Sequence, residues 1–248
     1  MSSDSVLRVL SYNIHKGFAL SQRFVLGGIR DGIRQVHADI VFLQEVLGDH
    51  KNHQEKIKEW PGPQLEFLAD EIWPHYAYGR NAVYSAGHHG NAILSKFPIS
   101  SFENIDISNN RFERRGILHA VTTWKDAPLH LLCVHLDLTS NGRKIQNERI
   151  VQRIQESIPA NERLILAGDF NDWRGLATSH FESTLELKEA FQTVHGAHAK
   201  TFPSPFPLLT LDRMYTRGFA PLTALCHEGP PWSALSDHLA IESSLRPE

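Results

Sequence analysis

Asp169 and Asn171 end the stretch Leu164-Ile165-Leu166-Ala167-Gly168-Asp169-Phe170-Asn171. The apolar run reads as a buried strand, because short runs of this kind suit a sheet interior. Gly168 lets the backbone leave the strand or come close to a ligand. Two positions apart in extended backbone, the carboxylate and the carboxamide point to the same side. Together they can hold a water and an anionic oxygen. An Asx-type turn after the strand would use the same residues for local geometry alone. Further polar groups weigh on that choice. Asn13, Glu45, His135 and the pair Asp237-His238 each fall where a predicted strand ends or a loop begins. Such ends share one rim of a sheet, where α/β proteins build their sites.

Glu45 follows Val41-Phe42-Leu43-Gln44, which leaves its carboxylate beside a core unless the strand end is solvated. A hard cation, Mg²⁺ or Mn²⁺, accounts for it better, since such ions take oxygen ligands and keep several waters. Asp212 interrupts an apolar strand, and a buried carboxylate needs a partner. His238 is the favoured partner, because a carboxylate on one ring nitrogen fixes the tautomer and raises basicity. A local salt bridge to Arg213 is the alternative. His135, between Val134 and Leu136, reads by itself as a satisfied core histidine.

The elements that must position these groups follow from pattern. Strands over 6–13 and 39–45 flank a helix over 23–36, whose Leu26, Ile29, Ile33 and Val36 recur at helical spacing. Residues 48–63 are polar and read as a loop or a poorly packed helix, and 64–73 as a short helix stopped by Pro74. Strands over 76–83, 90–95, 99–107, 116–124 and 129–138 follow, with Asp126-Ala127-Pro128 as a hairpin turn. A helix over 142–158 precedes the Asp169 strand. Residues 176–194 read as mainly helical, 201–207 as a proline-rich loop, and 208–215, 222–227 and 239–244 as closing strands. No break in composition divides the chain, so residues 1–248 are expected to form a single domain. The order predicts an α/β (α+β) fold, with two mixed, mostly antiparallel sheets packed face to face and helices outside.

At 248 residues the chain can bury a sizeable core without staples. A net charge of -3 and the lack of a basic stripe exclude a general polyanion binder, so no strong non-specific DNA binding is expected. The two cysteines, Cys133 and Cys226, suggest no disulfide framework, and Cys133 reads as a core thiol. No stretch approaches the ~18 apolar residues of a membrane span, and no charged-then-apolar leader is evident. A soluble, cytoplasmic, reduced monomer without a transmembrane segment is expected. Histidine, at 15 residues, invites metal or phosphate chemistry.

Taken in order, seven motifs become recognisable together. They are Ser11-Tyr12-Asn13-Ile14-His15, Leu43-Gln44-Glu45-Val46, Gly90-Asn91-Ala92-Ile93-Leu94-Ser95, Val134-His135-Leu136, Gly168-Asp169-Phe170-Asn171, Leu211-Asp212-Arg213 and Ser236-Asp237-His238. The ordered set resembles the endonuclease/exonuclease/phosphatase superfamily over residues 6–244. That superfamily includes pancreatic-type deoxyribonuclease, apurinic endonucleases, neutral sphingomyelinases, inositol-polyphosphate phosphatases and deadenylases. The resemblance implies a four-layered sandwich and a divalent-metal phosphoesterase. It further implies that Glu45 binds the metal, with Asn13 in the metal and phosphate shell and Asp237 near the metal or a second one. Asp169 would orient or deprotonate the attacking water, and Asn171 would hold a non-bridging oxygen. His238, oriented by Asp212, would contact the scissile phosphate or move a proton. His135 would be a phosphate contact or leaving-group acid, and Asn91 and Arg143 would join the phosphate-binding set. These roles are what in-line attack at phosphorus requires.

Two departures matter. The deoxyribonuclease type pairs the His135 equivalent with a carboxylate, whereas Ala86-Gly87-His88-His89-Gly90 holds none, so a phosphate contact is the role of His135 that survives. The long basic insertions of apurinic endonucleases are also missing. Arg80, Arg111, Arg114, Arg115, Arg143 and Lys144 could still form a local rim. The expected substrate is a phosphodiester in a nucleic acid, a lipid head group or a small molecule. A phosphomonoester of the inositol-phosphate or nucleotide type is the alternative. A catalytically inactive binding module on the same fold is the reading from another class, and the presence of Glu45, Asp169, Asn171, Asp237 and His238 weighs against it.

Overall fold

The computed structural model describes residues 6–110 and 113–248. The chain opens with β1 (Leu7–Asn13), α1 (Leu26–Val36) and β2 (Ile40–His50). Short helices α2 (Lys51–Lys56) and α3 (Gln64–Ala69) lead to the hairpin β3 (His75–Tyr84) and β4 (Gly87–Ser95). A meander of β5 (Ile99–Asp106), β6 (Gly116–Trp124) and β7 (Ala127–His135) follows. Next come α4 (Ser140–Ser157) and β8 (Arg163–Asp169). After α5 (Leu176–Leu185), β9 (Lys188–Glu189) and α6 (Ala190–His195), the strands β10 (Asp212–Arg217), β11 (Phe219–Cys226) and β12 (Ile241–Pro247) end the fold.

The strands form two six-stranded sheets, β11-β12-β1-β2-β4-β3 and β5-β6-β7-β8-β10-β9. Each contains one parallel pair, β1–β2 or β7–β8, and the other pairings are antiparallel. A parallel pair needs a crossover, and α1 and α4 supply the two. The inner faces meet in a core of Phe42, Ile93, Leu118, Leu131, Ile165 and Met214. α1 and α3 cover the outer face of the first sheet, and α4 and α5 that of the second. The expected four layers, helix, sheet, sheet and helix, are therefore present.

Several element boundaries differ from expectation, each for a local reason. β2 continues to His50 instead of stopping near residue 45, because bulges after Leu43 and Leu47 let it stay paired with β4. The helix expected over 176–194 breaks at Glu186, whose φ of 57 is left-handed, and β9 then pairs with the edge of β10. The hairpin turn is Lys125-Asp126, with φ of 52 and 58, so Ala127 and Pro128 already belong to β7. Residues 208–211 stay outside β10 because Leu209 exchanges backbone hydrogen bonds with Phe202.

A buried polar chain crosses the outer face of the second sheet. Arg153 Nε donates to His119 Nδ1 (3.1 Å), His119 Nε2 lies 2.9 Å from His130 Nδ1, and His130 Nε2 lies 2.6 Å from Glu162 Oε2. The guanidinium has no lone pair to offer, so His119 must accept at Nδ1 and donate at Nε2, which makes it a neutral ring. Burial first, then Arg153 and His130, push the His119 pKa down to about 4. The unfolded chain, with a histidine pKa near ~6.5, takes up this proton first as pH falls. Stability contributed by this group is thus present above pH ~6.5 and lost on the way down to about 4. Thermal melts of wild type and His119→Gln should diverge at pH 7 and converge near pH 4.5, by roughly 1–2 kcal/mol after solvent screening. Parallel curves would remove His119 from the acid limb.

Candidate active site

The two parallel pairs end on one rim, and the registers fix what meets there. His135 lies opposite Asp169 on β7 and β8, and Asp169 lies opposite Asp212 on β8 and β10. Gly168 has φ 147, and a Cβ there would collide with the Val134 carbonyl, so only glycine lets β8 approach β7 this closely. Asn171 (φ 50) and Glu45 (φ 57) both sit in the left-handed region, Glu45 at the first bulge of β2. A left-handed Glu is uncommon and strained, and such strain concentrates at functional positions.

Asp169 is 1% exposed and forms the centre. Its Oδ1 accepts from the Asn171 backbone N–H (2.9 Å). Its Oδ2 accepts from Asn13 Nδ2 (3.0 Å) and faces His135 Nε2 at 3.4 Å and His238 Nε2 at 3.6 Å. His238 Nδ1 lies 2.9 Å from Asp212 Oδ2, which also accepts from Thr201 Oγ1. Asp212 therefore faces His238 and not Arg213, whose guanidinium donates to the carbonyls of Asp212 and Asp172.

The two histidines carry different charges. Burial alone would hold His238 neutral, but Asp212 and Asp169 on either side raise its pKa to about 10, so it is an imidazolium at neutral pH. Burial, with the charges of Arg115 and His238, holds His135 well below the usual histidine range, so it is a neutral ring. Burial pushes the Asp169 carboxyl up to about 6 against the pull of His238.

Glu45 follows Gln44, which lies opposite Asn13 in the β1–β2 register. Burial disfavours its charge, but Lys16, His15, His89 and His238 outweigh this and hold it ionised. Lys16 Nζ approaches Glu45 Oε2 at 3.5 Å, and that oxygen is buried without a hydrogen bond. Asp237 Oδ1 lies 3.8 Å from His15 Nδ1, and the His15 backbone N–H bonds Asn13 Oδ1. Glu45, Asn13 and Asp237 each offer oxygen donors, the ligand type a hard cation takes, although Lys16 already faces the Glu45 oxygen. Asp169, Asp212 and His238 also bring ligand atoms within 4.8 Å of one another. Those groups already pair with each other.

Other expected contacts lie elsewhere. Asn91 Nδ2 donates to the carbonyls of Gly116 and Cys133 (3.2 Å each), which ties β4 to the opposite sheet and leaves no donor for a phosphate oxygen. Asn171 Nδ2 donates to the Leu136 carbonyl. Arg143 is buried, donates to the carbonyls of Asp137 and Leu138, and stacks on Trp173 at 4.8 Å. It borders a cavity of about 510 Å³ with Lys144 and Arg174. Arg114 pairs with Asp106 and Arg115 with Glu113, Arg80 is exposed, and Arg111 lies outside the described residues. Sequence reasoning missed Lys16, His89 and Thr201. Lys16 and Thr201 had no signal beyond proximity to Asn13 and to the proline-rich loop, and His89 was noticed only for not being a carboxylate.

The model of the Endonuclease/Exonuclease/phosphatase family matches residues 10–238. The chain belongs to this family. Its members are divalent-metal-dependent hydrolases of phosphoester bonds, and this chain has their fold. The Escherichia coli (strain K12) protein YbhP is 43% identical over 242 residues, covering 96% of this chain and 95% of YbhP. The endonuclease/exonuclease/phosphatase of Beutenbergia cavernae superimposes with a TM-score of 0.76 at 19% identity, over 98% of this chain and 72% of that one. D. rerio TDP2 complexed with single strand DNA product superimposes with a TM-score of 0.70 at 18% identity, over 98% and 99% of the two chains. At such identities these two likenesses speak for the fold.

The Asp212–His238 pair yields a test. Asp212→Asn keeps the shape but offers the ring the wrong partner. Loss of an orienting carboxylate costs about 10⁴-fold in a serine protease, so a loss on the order of 10²-fold or more is expected in hydrolysis of a small diester. His238→Ala should be at least as damaging. The double variant should be little worse than the worse single one, since groups acting as a unit are non-additive. Losses that simply multiply would show independent action.

Proposed function

We propose that this protein is a Mg²⁺- or Mn²⁺-dependent phosphodiesterase that hydrolyses its substrate by in-line attack of water, within one domain. The observation that carries the reading is the convergence of Asn13, His135 and His238 on one oxygen of the buried Asp169. A carboxylate raised toward neutrality accepts a proton from water more readily than an ordinary one. Asn13 and the Asn171 backbone N–H fix its two oxygens in place. Protonated His238 supplies a fixed positive donor for a non-bridging phosphate oxygen, and Asp212 holds its ring. Neutral His135 contributes one N–H toward the phosphate or the leaving oxygen.

A hard cation held by Glu45, with Asn13 and Asp237, would supply Lewis-acid neutralisation of phosphate charge. Lys16 keeps Glu45 ionised and ready for it. Among the described residues no helix is long and apolar enough to cross a membrane. Cytoplasmic location and a monomeric state belong to the same proposal.

Purified protein should hydrolyse bis-p-nitrophenyl phosphate with Mg²⁺ or Mn²⁺ and lose activity with chelator. Glu45→Gln should lose most of the metal-stimulated rate. Full activity in excess chelator would sink the metal dependence. Screening nicked duplex, single strands, sphingomyelin and inositol phosphates beside it would place the substrate, and a preference for inositol phosphates would favour the phosphomonoesterase reading. With a net charge of -3, binding to random duplex should be no tighter than roughly 10⁻⁴ to 10⁻⁶ M at physiological salt. Submicromolar binding with a steep salt slope would reveal a basic face.

A further inference from the structure

The turn that follows β1 is held in a conformation its sequence disfavours. His15, Lys16 and Gly17 have φ of 44, 58 and 84, three left-handed residues in succession. Two of them are not glycine, and each such residue stores strain that its surroundings must outweigh. The Gly17 N–H on the Ile14 carbonyl (2.8 Å) and the Phe18 N–H on that of His15 (3.0 Å) close the turn. It starts from the site itself, since the His15 N–H donates to Asn13 Oδ1 (3.1 Å).

Gln64, the first residue of α3, clamps this turn and is fully buried. Its Nε2 donates to the Lys16 carbonyl at 2.7 Å, and its Oε1 accepts from the Leu47 N–H at 2.9 Å. Leu47 lies two residues after Glu45 on β2. One side chain thus joins the turn that carries Lys16 to the strand that carries Glu45. A Cβ on Gly17 would lie 2.7 Å from Gln64 Nε2, so glycine is what lets the amide reach the backbone.

The clamp fixes the position of one ammonium. Lys16 Nζ stops 3.5 Å from Glu45 Oε2, that oxygen accepts no hydrogen bond, and the Lys16 side chain is 41% exposed. An ion pair this open contributes little to stability, too little to offset two left-handed residues that carry side chains. An ammonium has three N–H donors, and none of them is taken by a hydrogen bond among the described residues. The charge of Lys16 is felt at His135 as well as at Glu45.

We propose that Lys16 is a phosphate-binding residue of the candidate site, and that Gln64 is the positioning residue that holds it there. The ammonium leans on Glu45 and gives its donors to a non-bridging oxygen of the substrate. A lysine fixed through its backbone and free at its tip suits an oxyanion, because the point charge can turn its donors without moving the chain. The inference rests on the phosphoesterase reading above and adds a cation that lies outside the seven sequence motifs.

Calorimetric titration of the full chain with inorganic phosphate, in the presence of Mg²⁺, tests this without catalysis. Lys16→Met should weaken phosphate binding about tenfold or more, the scale of a hydrogen bond to a charged group. Lys16→Arg should recover most of that loss. Mn²⁺ titrated alone should bind Lys16→Met at least as tightly as wild type, because a positive charge has left the Glu45 carboxylate. Gln64→Met keeps the length and loses both hydrogen bonds. It should weaken phosphate binding in the wild-type background and hardly at all in Lys16→Met. If it fails to fold, Gln64→Glu takes its place, since it keeps the acceptor for Leu47 and removes the donor to Lys16. No phosphate binding by wild type, or equal binding by Lys16→Met, would overturn the role of Lys16. So would a Lys16→Met protein that binds phosphate and Mn²⁺ equally poorly, which is the mark of a collapsed turn. Losses at Gln64 and Lys16 that simply multiply would overturn the positioning. The expected pattern without any hydrolysis of bis-p-nitrophenyl phosphate would support Lys16 as an anion ligand and bring down the phosphoesterase reading alone.

Discussion

Asp169 is a carboxylate out of water, and such a group is tolerable only if its oxygens are partnered. Its partners come from both sheets: Asn13 from the end of β1, His135 from β7, the Asn171 backbone from beyond β8, and His238 from the approach to β12. Because these strands belong to different sheets, the carboxylate is satisfied only when the sandwich is assembled in one alignment. Ser236 adds to this, since its hydroxyl donates to the Asn13 carbonyl at 2.7 Å and so fastens the last loop to the first strand. The fold and the site are therefore one constraint seen from two sides.

The same pocket keeps two histidines in different states, and the difference is one of neighbours. His238 stands between two carboxylates, one of them hydrogen-bonded to Nδ1 at 2.9 Å and the other facing Nε2 at 3.6 Å. His135 shares only Asp169, at a longer distance, and feels Arg115 and the His238 charge. A cation already placed at His238 makes a second one at His135 expensive. The Asp212 pairing thus sets the charge of His238 directly and that of His135 at one remove, which separates a positive donor from a neutral one a few ångström apart.

Much of this was legible in the residues. Asp169, Asn171, Glu45 and His135 follow apolar runs, and a polar residue at the end of such a run is on a rim whatever the packing. Asp212 could be matched with His238 because a carboxylate inside an apolar strand demands a partner. The helical stripe of α1 and the alternation of strands gave the layers. What stayed hidden depends on bends and distant approach. The bulges that carry β2 past Glu45 and the left-handed Glu186 leave no pattern in composition. Lys16 reaches Glu45 only because His15 and Lys16 both turn left-handed after β1. Asn91 had the right type for a phosphate contact, but its partners are carbonyls on strands far along the chain.

A chain with a net charge of -3 can still bind an anionic group, because field strength at a buried point depends on what lies within a few ångström. His238 and Lys16 are such local charges, and both are held by carboxylates that belong to the same site. The arrangement has a cost, since each cation is partly neutralised by the group that fixes it. It also has a direction. His238 faces Asp169 at 3.6 Å and Lys16 faces Glu45 at 3.5 Å, so each cation is aimed at a carboxylate of the site.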